Sequence, residues 1–103
     1  DPLKIEGDQL PQEFQIGHPY PNPFNGRVSI PIKTNQNSLI NFNVYNINGD
    51  IVYNSNLSYT AQTYNNIFWD GKSNNGNIIS SGTYLIKIIN GSITKTKKII
   101  YIK

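Results

Sequence analysis

Two β-prone runs with Asn90-Gly91 between them constrain this chain more than any other feature. The first runs Gly-Thr-Tyr-Leu-Ile-Lys-Ile-Ile from Gly82. The second runs Ser-Ile-Thr-Lys-Thr-Lys-Lys-Ile-Ile-Tyr-Ile-Lys to Lys103. β-Branched and aromatic residues suit a pleated, half-buried surface, and Asn-Gly tolerates the two positive φ values of a type I′ turn. The spacing predicts a terminal β-hairpin turning at Asn90-Gly91. On its first arm Tyr84, Ile86 and Ile88 share one parity and Lys87 takes the other. On the second arm Lys95 and Lys97 share a parity with Ile99 and Tyr101, while Lys98 shares one with Ile100 and Ile102. Either a bulge resets the alternation or apolar side chains face outward.

The same vocabulary recurs upstream. Val28, Ile30 and Ile32 alternate with Arg27, Ser29 and Lys33, and Ile40, Phe42 and Val44 alternate with Asn41 and Asn43. Pro31 lies on the polar parity and has no N–H, so its strand is expected at an edge, or with the missing donor pointing outward. Ile51-Val52-Tyr53 and Tyr64 to Trp69 supply further strands, with Ile67 and Trp69 expected inward. Residues 54–63 read as a loop or as a strand around Leu57 and Tyr59. Phe14 and Ile16 open a short first strand. Asn-Gly pairs at 25–26, 48–49, 75–76 and 90–91 punctuate these runs, and no stretch carries a 3.6-residue period. Short strands with turns every ten residues or so predict an all-β fold, an antiparallel β-sandwich of about seven strands. Tyr20-Pro21-Asn22-Pro23-Phe24-Asn25-Gly26 reads as a rigid corner closing one end.

With 103 residues the chain holds one domain. Residues 1–13 carry Asp1, Glu6, Asp8 and Glu13 without periodicity and read as a linker or arm before a domain spanning 14–103. The start at Asp-Pro-Leu suggests a processed or excised piece. Formal net charge is +3, yet Asp50 and Asp70 are the only acids after residue 13, while Lys87, Lys95, Lys97, Lys98 and Lys103 crowd the end. Lysines on a strand deter unwanted edge pairing; the same lysines suit an acidic partner. Nucleic acid is disfavoured, because arginine occurs once and no basic-aromatic platform is evident. No apolar run approaches the ~20 residues of a membrane-spanning helix.

Chemistry is sparse. Cysteine is absent, which excludes disulfides and thiolate metal sites. His18, the only histidine, sits beside Pro19 and reads as a surface or corner residue. A hydrolytic triad or a carboxylate pair would have to recruit Asp50 or Asp70 from turn sequences. Asp70 to Gly76 fails the EF-hand pattern because Lys72 falls on the third ligand position, although Asp70, Asn74 and Asn75 could hold a cation weakly. No phosphate-binding loop is present. The expectation is a non-enzyme without catalytic residues or cofactors.

In order and spacing, several blocks resemble one family. Leu10-Pro11-Gln12-Glu13-Phe14 leading to Tyr20-Pro21-Asn22-Pro23-Phe24-Asn25 is similar to the opening of the C-terminal sorting domain of type IX secretion cargo. Gly49 before Ile51-Val52 resembles its central element. Trp69-Asp70-Gly71, Asn75-Gly76 and Ser81-Gly82-Thr83-Tyr84 are similar to a block shared with the immunoglobulin-like domain of flagellar hook-capping proteins, and Lys97-Lys98-Ile99-Ile100 resembles the lysine-and-aliphatic ending. The resemblance implies an immunoglobulin-like sandwich that directs a preceding cargo domain from the periplasm through an outer-membrane translocon to the cell surface or medium. It also implies removal by a surface sortase cutting before Phe14. The translocon would read Gly82, Tyr84, Lys95, Lys97, Lys98, Ile99, Ile100 and Tyr101. The structural motif would comprise Tyr20, Pro21, Asn22, Pro23, Phe24, Gly49, Trp69, Asp70, Gly71 and Gly76. Two other readings remain at the level of residues: a passive immunoglobulin- or fibronectin-like module, and a carbohydrate-binding module using exposed members of the seven tyrosines.

Overall fold

The computed structural model describes residues 14–34, 36–60 and 63–103, so the acidic arm at 1–13 lies outside the described residues. Among the described residues seven strands form, β1 (Phe14–Ile16), β2 (Val28–Thr34), β3 (Ser38–Tyr45), β4 (Ile51–Tyr59), β5 (Thr63–Trp69), β6 (Gly82–Asn90) and β7 (Ile93–Tyr101). They make two antiparallel sheets, β1-β2-β5 and β4-β3-β6-β7. The all-β sandwich anticipated from the turn spacing is the fold, and residues 54–59 take the strand alternative.

Alternation decides the core. Val28, Ile30, Ile32 and Ile67 from the small sheet meet Ile40, Phe42, Val44, Ile86, Ile88 and Ile99 from the large one, all buried. Burying one such side chain stabilises the fold by about 1.5–3 kcal/mol relative to leaving it exposed. Aromatic rings fill the end where β7 finishes. Phe24 stacks tilted on Tyr101 at 5.0 Å and on Trp69 at 5.8 Å, and Trp69 meets Tyr84 edge-on at 6.2 Å. The Trp69 indole N–H donates to the Lys72 carbonyl at 3.0 Å, so burying the ring leaves no donor unpaired.

Two local expectations change. β2 lies between β1 and β5 rather than at an edge. Gly17 N–H still donates to the Pro31 carbonyl at 2.8 Å, but Pro31 has no donor to return, and β1 ends at Ile16 opposite Ile32. The missing N–H therefore faces the place where β1 leaves the sheet. The hairpin turn also sits one residue later than Asn90-Gly91. Asn90 pairs with Ile93, which leaves Gly91 and Ser92 as the two-residue loop, with Gly91 at φ +62° in its first position. A glycine there reaches a positive φ at no steric cost.

Candidate functional site

The β6–β7 register is continuous, from Asn90 opposite Ile93 to Gly82 opposite Tyr101, so no bulge intervenes. Lys95 and Lys97 accordingly lie on the parity of Ile99 and Tyr101, facing the inner side of the sheet. Ile100 and Ile102 turn outward. Ile99 and Tyr101 are buried, whereas Lys95 and Lys97 are half-buried and Lys98 is exposed. Long lysine stems can cover apolar surface while the ammonium stays wet. A charged pair on the inner parity of an edge strand is a device against indiscriminate pairing.

Among the described residues β7 is an edge strand of the large sheet, and only its first half is open. The corner at 20–26 clasps the second half. Asn22 Nδ2 donates to the Lys98 carbonyl at 3.1 Å, and Ile100 N–H donates to Asn22 Oδ1 at 2.9 Å. The Phe24 N–H donates to the Ile100 carbonyl at 2.9 Å, and Ile102 N–H donates to the Phe24 carbonyl at 2.8 Å. Phe24 thus forms a parallel bridge with Tyr101 while its ring enters the core. The ring explains why this segment stays in place. Pro21 and Pro23 both follow cis peptide bonds and flank Asn22. Tyr20, the other aromatic of the corner, is exposed and pairs its backbone with Ser29.

By strand alternation the N–H and C=O of Thr94 and Thr96, and the N–H of Lys98, point the same way as the clasped groups. No described group bonds them. Nor does any ring among the described residues lie under Lys95, Lys97 or Lys98. By contrast, Lys87 lies 5.2 Å from the Tyr45 ring, Lys33 lies 5.2 Å from Tyr64, and Arg27 sits 4.2 Å over Phe68. Asp50 and Asp70 are the only acids among the described residues. Both sit in loops at the end of the sandwich where β7 finishes, since Tyr45 pairs with Leu85 and Gly71 abuts Tyr101.

The remaining candidates take structural places. Tyr84 is buried at the start of β6, and its hydroxyl donates to the Ser80 carbonyl at 2.7 Å, tying the strand to the loop before it in the manner of the tyrosine corner of immunoglobulin-like sandwiches. Gly82 opens β6 half-buried. Gly49 turns the β3–β4 hairpin, donating to the Asn46 carbonyl. Gly71 has φ +76°, and a Cβ there would stand 2.9 Å from Tyr101 Cε1, so only glycine fits beside that ring. Gly76 N–H donates to the Ser73 carbonyl.

The weak cation reading of residues 70–76 meets competition. Asp70 Oδ1 accepts from Lys72 N–H at 3.2 Å, and Asn74 Oδ1 accepts from Asn54 N–H at 2.9 Å. Asn74 Nδ2 also donates to the Asn54 carbonyl at 3.0 Å, so this amide clasps the β4 edge. His18 is exposed, and among the described residues no three His, Asp or Glu side chains gather as a metal site would require. Sequence reasoning missed both asparagine clasps and the Tyr84 tether. It also missed the outward asparagines that bond along the large sheet, where Asn43 donates to Asn41 at 2.6 Å and Asn41 donates to Asn56 at 3.1 Å.

The features assembled here are a two-sheet sandwich, a proline-rich corner clasping the last strand, and a lysine-bearing terminal hairpin. Residues 18–103 match the family model of the secretion system C-terminal sorting domain, and the chain belongs to that family. Membership implies export to the cell surface or the extracellular space. No curated protein matches the sequence. Among solved structures, dimeric latent PorU from Porphyromonas gingivalis is similar at TM-score 0.73 and 19% identity, over 86% of this chain and 9% of that one. PorZ, a surface component of the type-IX secretion system of the same bacterium, is similar at TM-score 0.56 and 18% identity, over 92% and 12%. FlgD from Xanthomonas campestris, a protein of flagellar hook capping, is similar at TM-score 0.61 and 19% identity, over 93% and 72%. At these identities the likeness is one of fold. The chain spans about a tenth of the PorU and PorZ chains it resembles.

Proposed function

We propose that this domain is the non-catalytic address label of a larger exported protein, read by a type IX outer-membrane translocon. A surface sortase then cuts upstream of Phe14 and attaches the cargo to the cell surface. The observation that carries this reading is the family match over residues 18–103, which runs through the terminal hairpin. Within the hairpin, the accessible share of the expected recognition residues is Gly82, Lys95, Lys97, Lys98 and Ile100. Tyr84, Ile99 and Tyr101 are buried and support the strand from behind. Basic side chains that make no ion pair among the described residues raise the encounter rate with an acidic surface.

The test is an export assay with residues 1–103 placed behind a signal peptide and a fluorescent protein, in a bacterium with a type IX system and in its translocon-deficient derivative. Surface or medium fluorescence that vanishes in the deficient strain is the expected result. Periplasmic retention in both strains, with the domain folded, overturns the reading. Deleting Ile99–Lys103 should also abolish export. That truncation removes two core side chains, however, so replacing Lys95, Lys97 and Lys98 by alanine is the variant that separates recognition from folding.

A further inference from the structure

The open half of β7 is bounded by chemistry on every side. Its far end is closed by Asn22 and Phe24, so an added strand has main-chain partners only at Thr94, Thr96 and the Lys98 N–H. Lys95 and Lys97 project from that stretch on one face, two residues apart. In an added strand, the residues directly opposite them would point to the same face.

We infer that residues 93–98 form a strand-addition site for an extended acidic segment of a partner protein, one with carboxylates at alternate positions i and i+2. Main-chain hydrogen bonds to Thr94 and Thr96 would supply the pairing, and the two carboxylates opposite Lys95 and Lys97 would supply the selectivity. A second copy of this chain is the wrong occupant. Antiparallel self-pairing of β7 would set lysines beside lysines, which is repulsive across strands. A neutral strand would leave both ammonium groups without a counter-charge. The free edge of β4 carries no charged residue from Ile51 to Tyr59 and offers no such selection. The inference deepens the sorting reading by naming the chemistry of what the hairpin binds, but it is measured on purified protein. Loss of export and loss of binding are therefore separate results.

The experiment titrates the 15N-labelled 103-residue chain with the end-blocked peptide Val-Glu-Thr-Glu-Val. The isomer Val-Glu-Glu-Thr-Val, whose acids fall on opposite faces, is run in parallel. The expected result is movement of the Thr94, Thr96 and Lys98 amide signals and slowed exchange at those amides, with Ile100 and Ile102 unaffected. The isomer should bind more weakly, and added salt should weaken both. The charge-reversed K95E/K97E variant, checked for a folded spectrum, should lose about tenfold in affinity. Should that variant not fold, Thr96→Pro, which removes one edge donor, takes its place. Equal binding of the two isomers, shifts spread over Lys33, Lys72 and Lys87, or no shifts at all would each overturn the inference and leave the lysines as edge protection.

Discussion

The corner at residues 20–26 and the loop at residues 70–76 each lay an asparagine amide along an open edge of the large sheet, Asn22 on β7 and Asn74 on β4. The amide of Asn22 spans two residues of its strand, from the Lys98 carbonyl to the Ile100 N–H. That of Asn74 returns both bonds to the single residue Asn54. The larger difference lies behind the amide. Phe24 continues the first clasp with two main-chain bonds and a ring buried against Tyr101 and Trp69. The second loop is held by Trp69 to the Lys72 carbonyl and by close packing of Gly71 on Tyr101. A side-chain amide alone can cap an edge, but an anchored main chain extends the sheet.

The widest test of that contrast is Phe24→Ala. Removing a fully buried phenylalanine costs about 3–5 kcal/mol in comparable cores, and here the loss should also free the Ile100 and Ile102 edge groups. Urea unfolding should show the drop in stability, and amide exchange should show Ile102 losing protection while Asn54 keeps it. Equal loosening of both edges would mean that the two clasps are coupled through the aromatic cluster and not independently anchored.

A smaller effect is expected at the rear of the second loop, where Tyr84 holds the Ser80 carbonyl. Tyr84→Phe should cost about 0.5–1.5 kcal/mol. It should also change the alkaline limb of stability. Burial, and then the neighbouring Tyr101, push the Tyr84 hydroxyl above its ordinary value of 10.0, and burial does the same to Tyr59. The protonated form is thus the one the fold favours. Its contribution is complete below the ordinary tyrosine value and is lost as pH rises through the higher folded one. Thermal melts of Tyr84→Phe should fall less steeply above pH 10 than those of the parent chain. An unchanged slope would assign the alkaline loss to Tyr59.

Why these anchors were hidden in the sequence while the sandwich was not follows from the range of each signal. Alternation in Val28–Ile32 and Ile40–Val44 is local and fixes which side chains are buried. Turn residues are local too, and they marked every hairpin to within a residue. Strand order is not local. Nothing in Pro31 itself says that β1 will end beside it, so a central strand looked like an edge. The inward lysines needed the β6–β7 ladder to run without a bulge, which no residue near Lys95 or Lys97 declares by itself. Asn22 and Asn74 looked like two more turn residues in an asparagine-rich chain, because an amide that bonds a strand 76 or 20 residues away leaves no mark beside it.

The finest test sets the two amides against each other. Asn22→Ala removes two hydrogen bonds to β7 but leaves Phe24 paired, and it should cost about 1 kcal/mol, since each exposed bond is partly replaced by water. Asn74→Ala likewise removes two exposed bonds, both to Asn54, and should cost about 1 kcal/mol or less. The distinction lies in what each edge then accepts. Without Asn22 the open stretch of β7 lengthens to include the Lys98 carbonyl and the Ile100 N–H, so a strand-adding acidic peptide should shift the Ile100 amide as well as Thr94 and Thr96. Without Asn74 the same peptide should leave β4 untouched, because no charge waits there for it. Equal recruitment to both edges would show that a free ladder alone is sufficient, and the lysines would lose their role as the selecting element.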